Sequence, residues 1–398
     1  MTPSLNHNQV KKNPRNKIDD GGCGKAVRGL KLAIIVVSLS MVTDGVSGEH
    51  GVLLPSSTEK KGWSVSAFYV LGDSSVDCGD NTLFYPFLHH NLSLIPCEGS
   101  DRSLVPHFLA EKMGFPSTPT FYGQNGSIDG LFQGLNFGSA EAMIMSSADH
   151  EFQSLNQQIR QVLETFQLLQ LHLPLNSALS YIESSLIYLS FGKDDYIELF
   201  LHNPGIMHKF TGPEFARILV DQMAAAMRTL HVAGARRIII VGILPIGCAP
   251  RTVWEWNEAW GMLGNGKDNQ TVCIEEINEL VTQYNRLLEE RIVSLNSDLP
   301  GMNIIFCNVY EGIMEIVNNP KKHGFENIKD ACCGFGMNGA RVGCLAVDMA
   351  CKDRRTHLWW DLYNPTQAVN KLLAESAWSS LSLGHICRPS TIKHLVSP

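Results

Sequence analysis

Four stretches of this chain are apolar at nearly every position: Ser66 to Leu71, Ser185 to Phe191, Arg237 to Ile243 and Asn303 to Val309. Gly72 stops the first, Gly192 the second and Pro245 the third. A strand with one wet face alternates apolar and polar residues. A run apolar throughout must be covered on both faces, which is the condition of a strand inside a parallel sheet. Parallel neighbours cannot be joined by hairpins, so the connections must cross over, usually through helices. Helical periodicity fills the gaps. Leu155 to Leu171 carries Ile159, Val162, Phe166 and Leu169 at helical spacing, and Pro213 to Ala233, Cys273 to Ser297 and Pro365 to Leu381 follow. Pro213 and Pro365 stand near helix starts, where a missing N–H costs nothing. This alternation predicts an α/β fold with crossover helices.

Residues 49–398 read as a single domain, without internal repeat, low-complexity tract or linker. Residues 1–48 read as a leader: Lys11, Lys12, Arg15, Lys17, Lys25, Arg28 and Lys31 precede the apolar Leu32 to Val42, and Val46-Ser47-Gly48 suits signal-peptidase cleavage. The apolar core is shorter than the ~18 residues of a membrane span, so a cleaved signal peptide is expected, with a signal anchor as the alternative. The expected destination is extracellular (cell wall or apoplast), with an endomembrane or vacuolar site as the alternative. Eleven cysteines fit an oxidising compartment, and cleavage near Gly48 would remove Cys23 and leave an even ten. Cys248 with Cys273, and two pairs within Cys332, Cys333, Cys344 and Cys351, are candidate disulfides. None has zinc-ligand spacing, and no metal is expected. Asn91, Asn125 and Asn269 head glycosylation sequons. Acidic residues outnumber basic ones, 39 to 32, which speaks against a nucleic-acid partner.

In open α/β sheets, ligands bind outside the carboxyl ends of the strands. Gly72-Asp73-Ser74 follows the first run directly, and a serine on such a turn can present its hydroxyl at the sheet edge. Its context, Phe68-Tyr69-Val70-Leu71-Gly72-Asp73-Ser74-Ser75-Val76-Asp77, resembles the first block of the plant-type GDSL esterase/lipase family of the SGNH hydrolase superfamily. Gly134 to Ala140 (GLNFGSA) resembles the second block and Ser190 to Tyr196 (SFGKDDY) the third. Gly242 to Pro250 is similar to another recurrent segment, and Trp360 to Ala368 (WDLYNPTQA) to the last block. The resemblance implies a three-layer α/β/α sandwich around a mostly parallel central sheet, SGNH hydrolase-like with flavodoxin-like strand order. It also implies hydrolysis of lipid or acyl esters without a cofactor. Ser74 would be the nucleophile, and Asp361 would orient a histidine base three residues on. Backbone N–H groups and a third-block Asn side chain would hold the oxyanion.

The catalytic positions depart from that pattern. Asn364 stands where the base histidine belongs, Asp194 at the oxyanion Asn, and Glu141 at the second-block Gly. An amide cannot take the Ser74 proton. An ionised carboxylate accepts hydrogen bonds and cannot donate one to an oxyanion. Losing the base costs on the order of 10⁶ in a serine hydrolase, and losing one oxyanion donor roughly 10²–10³. His357, four residues before Asp361, is a candidate substitute base. Asp194 could also act, as a weak base or, protonated by crowding with Asp195 and Glu141, as a donor. The reading is therefore an exported esterase-family protein with impaired catalysis. The alternative is a non-catalytic protein that binds a lipid, acyl ester or glycan ester, or that regulates a partner.

Overall fold

A computed structural model describes residues 62–77, 104–115, 118–123, 130–140, 142–145, 153–262, 271–344 and 349–398. The leader, the sequon asparagines Asn91, Asn125 and Asn269, Glu141, Cys78 and Cys97 lie outside them. The strands in chain order are β1 (Phe68–Gly72), β2 (Leu186–Ser190), β3 (Arg237–Val241), β4 (Asn303–Cys307), β5 (Asn327–Ala331), β6 (His357–Trp359) and β7 (Cys387–Arg388). The helices are α1 (Val105–Met113), α2 (Leu155–His172), α3 (Leu175–Glu183), α4 (Pro204–Lys209), α5 (Gly212–Val232), α6 (Pro250–Met262), α7 (Glu275–Asp298), α8 (Val309–Asn318), α9 (Gln367–Ser379) and α10 (Ile392–Val396).

The four apolar runs become β1 to β4, paired in parallel in that order, with Phe68 opposite Leu186, Leu186 opposite Arg237 and Arg237 opposite Asn303. On the free side of β1, residues 133–139 run alongside. Val70 N–H donates to Leu135 O (2.9 Å) and Phe137 N–H to Val70 O (2.8 Å). This segment takes the place of the second strand, so the flavodoxin-like order holds. β7 adds an antiparallel edge beside β4.

Every residue of β1 and β2 is buried, because helices cover both faces. Phe68 meets Phe115 and Tyr188 on one side, while Tyr69 meets Phe166 of α2 on the other. Successive strand residues point oppositely, so these contacts mark the two outer layers. α2, α5 and α7 pack as one layer, and α1, α8 and α9 as the other. The expected helices form within two residues of their anticipated ends at the start of α2, α5 and α7. Ser154 and Thr211 cap α2 and α5 in reciprocal capping boxes with Gln157 and Glu214.

Four disulfides join described residues. Cys248–Cys273, Cys332–Cys351 and Cys333–Cys344 fall among the anticipated groupings, and Cys307–Cys387 ties β4 to the edge strand. The two adjacent cysteines tie the chain just after β5 to residues 344 and 351; β5 pairs with β6 in a separate two-stranded parallel sheet, and the Asp361–Asn364 loop follows β6. Among the described residues, no helix is long and apolar enough to cross a membrane.

Candidate active site

The Ser74 turn is fixed by backbone crowding. A Cβ on Gly72 would lie 2.5 Å from Ser190 O and from a Val76 methyl, so only glycine lets the chain turn there. Buried Gln158 of α2 grips the same residue: its Oε1 accepts the Gly72 N–H and its Nε2 donates to Gly72 O, both at 2.9 Å. Asp73 is fully buried and joins this turn to the one after β2. It accepts from the N–H groups of Ser75 (2.9 Å), Lys193 (3.0 Å) and Asp194 (3.4 Å). Burial, then the neighbouring Asp194 carboxylate, pushes Asp73 up to about 6. The second turn needs Gly192 in the left-handed region, at φ 109°. Beyond it, Asp195 accepts from Ile144 N–H (2.9 Å) and Met145 N–H (3.0 Å), and burial pushes it up to about 7.

These turns bring Ser74 and Asp194 together. Ser74 Oγ donates to Asp194 Oδ1 at 2.6 Å, and Ser74 N–H donates to Asp194 Oδ2 at 3.0 Å. One carboxylate thus accepts from both the hydroxyl and the amide of Ser74. The N–H now spent on Asp194 is one of those that would hold a developing oxyanion.

The Asp361–Asn364 loop is equally defined. Asp361 Oδ1 accepts from Tyr363 N–H (3.0 Å) and Asn364 N–H (2.8 Å), a local Asx arrangement. The Asn364 side-chain Nδ2 donates to Asp361 Oδ1 (3.1 Å) and Oδ2 (3.0 Å). Burial raises the Asp361 carboxyl above its usual range, against the pull of those donors. With its NH₂ turned to Asp361, Asn364 points Oδ1 the other way, where Lys193 Nζ donates to it at 2.6 Å. Lys193 Nζ also lies 3.9 Å from Asp194 Oδ1. One continuous polar chain thus runs Ser74–Asp194–Lys193–Asn364–Asp361, all of it buried or half-buried.

The model of the GDSL-like lipase/acylhydrolase family matches residues 68–377, the span that carries both halves of this chain of contacts. This protein belongs to that family. A GDSL esterase/lipase of Arabidopsis thaliana is 31% identical over 331 residues, covering 79% of this chain and 85% of its own. GDSL esterase/lipase 7 of the same plant is 27% identical over 370 residues, covering 89% and 95%. Among solved structures, a catalytic mutant of an acetylxylan esterase from Geobacillus stearothermophilus aligns with 78% of this chain and 91% of its own, at TM-score 0.33 and 11% identity. A likeness that loose bears on neither activity nor substrate.

Ser74, Asp194, Asn364 and Asp361, the GDSL positions singled out in the sequence, thus meet in one network. His357 does not join it through a hydrogen bond: it stands at the start of β6, and its Nδ1 lies 3.1 Å from Asp353 O. Two participants were missed. Lys193 lies within the third block but was given no role of its own; it is 3% exposed. Gln158, on an amphipathic helix, carries no sequence signal of the Gly72 clamp. Lys193 and Asn364, with Asp73, Ser75 and Asn370, also line a small cavity of about 40 Å³. Its walls are mostly apolar and include Tyr188, Val309, Ile313 and Leu373.

Proposed function

We propose that this chain is an exported GDSL-family protein that receives a lipid or acyl ester at the Ser74 turn but turns it over poorly or not at all. The observation that carries this reading is the double capture of Ser74, hydroxyl and amide, by the Asp194 carboxylate. An attacking serine must lose its proton to a base while its N–H stabilises the new negative charge. Here the base position holds an amide, and a negative group already fills the place of the charge. The family match over residues 68–377 supports an ester as the ligand class. Export is supported by the basic leader with its short apolar core and by the disulfides of the described domain.

A second reading has one observation in its favour: at 2.6 Å, Asp194 Oδ1 is also placed to accept the Ser74 proton. The two readings differ in the sign of one mutation. Purified protein, Ser74→Ala and Asp194→Asn are compared in hydrolysis of a short-chain aryl ester. The expected result is a wild-type rate equal to that of Ser74→Ala, and a rate for Asp194→Asn that does not fall and rises by about 10-fold at most, because a carboxamide can donate where the carboxylate cannot while position 364 still holds no base. A Ser74-dependent wild-type rate that Asp194→Asn abolishes would establish Asp194 as the base and overturn the impaired reading.

A further inference from the structure

Lys193 is the member of the network that no catalytic role requires. It is buried, and a buried ammonium must find partners. Those it has are the Asn364 carboxamide at 2.6 Å and the Asp194 carboxylate at 3.9 Å. It therefore stands between the two departures from the family pattern and contacts both. Two carboxyl groups besides Asp194 lie around it: Asp73, which accepts its backbone N–H, and Asp361 across Asn364.

Resting on the impaired reading above, we propose that Lys193 is a positioning residue that holds the Ser74 site closed. Its ammonium, anchored on Asn364, keeps Asp194 drawn across Ser74 and would cap any base installed at position 364. The geometry of Asn364 carries the second half of this proposal. Nδ2 faces Asp361, so Oδ1 faces Lys193. An imidazole on the same backbone, held through one ring nitrogen by Asp361, would present its other nitrogen in that same direction. An ammonium has three donors and no acceptor. It would occupy the lone pair meant for the Ser74 proton, and its charge would oppose formation of the imidazolium. Restoring the two obvious positions therefore leaves the site locked. Lys193, Asp194 and Asn364 act as one unit, and all three must be changed to open the site fully.

The test uses covalent labelling of Ser74 by an alkyl fluorophosphonate. Ser74 Oγ forms a bond to phosphorus, the P–F bond breaks, fluoride leaves, and the hydroxyl proton passes to the base. Labelling rates are measured for wild type, for Asp194→Asn with Asn364→His, and for that double variant with either Lys193→Met or Lys193→Arg added. Circular dichroism and thermal melts confirm that each is folded. The expected result is slow labelling of the double variant, a gain of roughly 10²-fold on adding Lys193→Met, the order of effect of one oxyanion-type electrostatic group, and no such gain on adding Lys193→Arg, which keeps the charge. The imidazole introduced at position 364, followed by its ring-proton NMR shift against pH, should titrate higher in the Met-containing variant than in the double variant. A purely structural lysine would not move that titration. Equal labelling of the double and Met-containing variants, or a Met-containing variant that is folded but no faster, would overturn the lock. Rapid Ser74 labelling of the wild type would instead overturn the impaired reading beneath it.

Discussion

The two halves of the site are built in opposite ways. The Ser74–Asp194 half hangs from the ends of β1 and β2, in the middle of a sheet covered on both faces, and its positions are set by backbone crowding. The Asp361–Asn364 half hangs from β6, a three-residue strand of a small sheet whose partner strand is half-exposed throughout. Two disulfides and an Asx turn define it. The first half can change chemistry while its shape is held by the core. The second owes its shape to local cross-links and to its own side chains.

The largest effect should come from breaking the first half. Gly72→Ala would put a methyl 2.5 Å from Ser190 O. Neither a backbone carbonyl nor a buried strand can yield, so the variant should lose about 4 kcal/mol or more, or fail to fold. Gly343, in the second half, has nothing nearer than a Leu362 methyl at 3.7 Å. Gly343→Ala should therefore stay within about 1 kcal/mol of wild type. Urea unfolding of the pair checks the contrast, and equal losses would erase it.

A smaller effect tests the second half on its own terms. Cys332 and Cys351 are separated by 19 positions, and a loop of that size is worth roughly 3 kcal/mol in the chain-entropy account. Cys332→Ser with Cys351→Ser should lower stability by about that much, and the loss should be local. In hydrogen exchange, the Cys332, Cys333 and Trp360 amides, which donate to Trp359 O, Trp360 O and Asn364 O, should lose protection. The amides of β1 to β4 should keep theirs. Uniform loss across both sheets would mean that the halves unfold together.

The same contrast explains what could be read in the sequence. β1 to β4 declared themselves because burial on both faces leaves a continuous apolar run. The fourth run overshot its strand: β4 ends at Cys307, and Asn308, whose side chain accepts the Glu311 N–H, starts α8 instead. β5, Asn-Ile-Lys-Asp-Ala, has neither an apolar run nor clean alternation, so a half-exposed strand of a two-stranded sheet left no signal. Cys307–Cys387 spans 80 positions, and nothing local in the chain links its two ends. Ser74, Asp194, Asp361 and Asn364 were singled out through the family resemblance of their blocks, and the fold brings them together. Lys193 was not, because its role depends on a carboxamide 171 positions away that is brought to it by the fold.

The smallest effect lies on the seam between the halves. His202, at the end of the π-helical segment Asp195–Leu201, has Nε2 3.0 Å from Glu255 Oε2 and Nδ1 3.8 Å from Glu198 Oε2. Glu255 Oε1 accepts from Arg251 Nε at 2.6 Å, and Arg251 reaches the second half through Arg341 O (2.7 Å) and, by its backbone N–H, Leu362 O (3.2 Å). The carboxylates of Glu198 and then Glu255 push His202 up to about 9. A histidine whose folded value lies above its unfolded one, about 6.5, binds its proton more tightly when folded. Its contribution is complete below about pH 6.5 and is lost as pH rises through about 9. Because the ring is partly exposed, solvent screening should leave roughly 1 kcal/mol. His202→Gln should melt below wild type at pH 6, with the gap closing by pH 10. The seam joins a core-held half to a stapled one, so weakening it should not change the order in which their amides exchange. A gap that stays constant with pH would mean that the seam is held by packing rather than by charge.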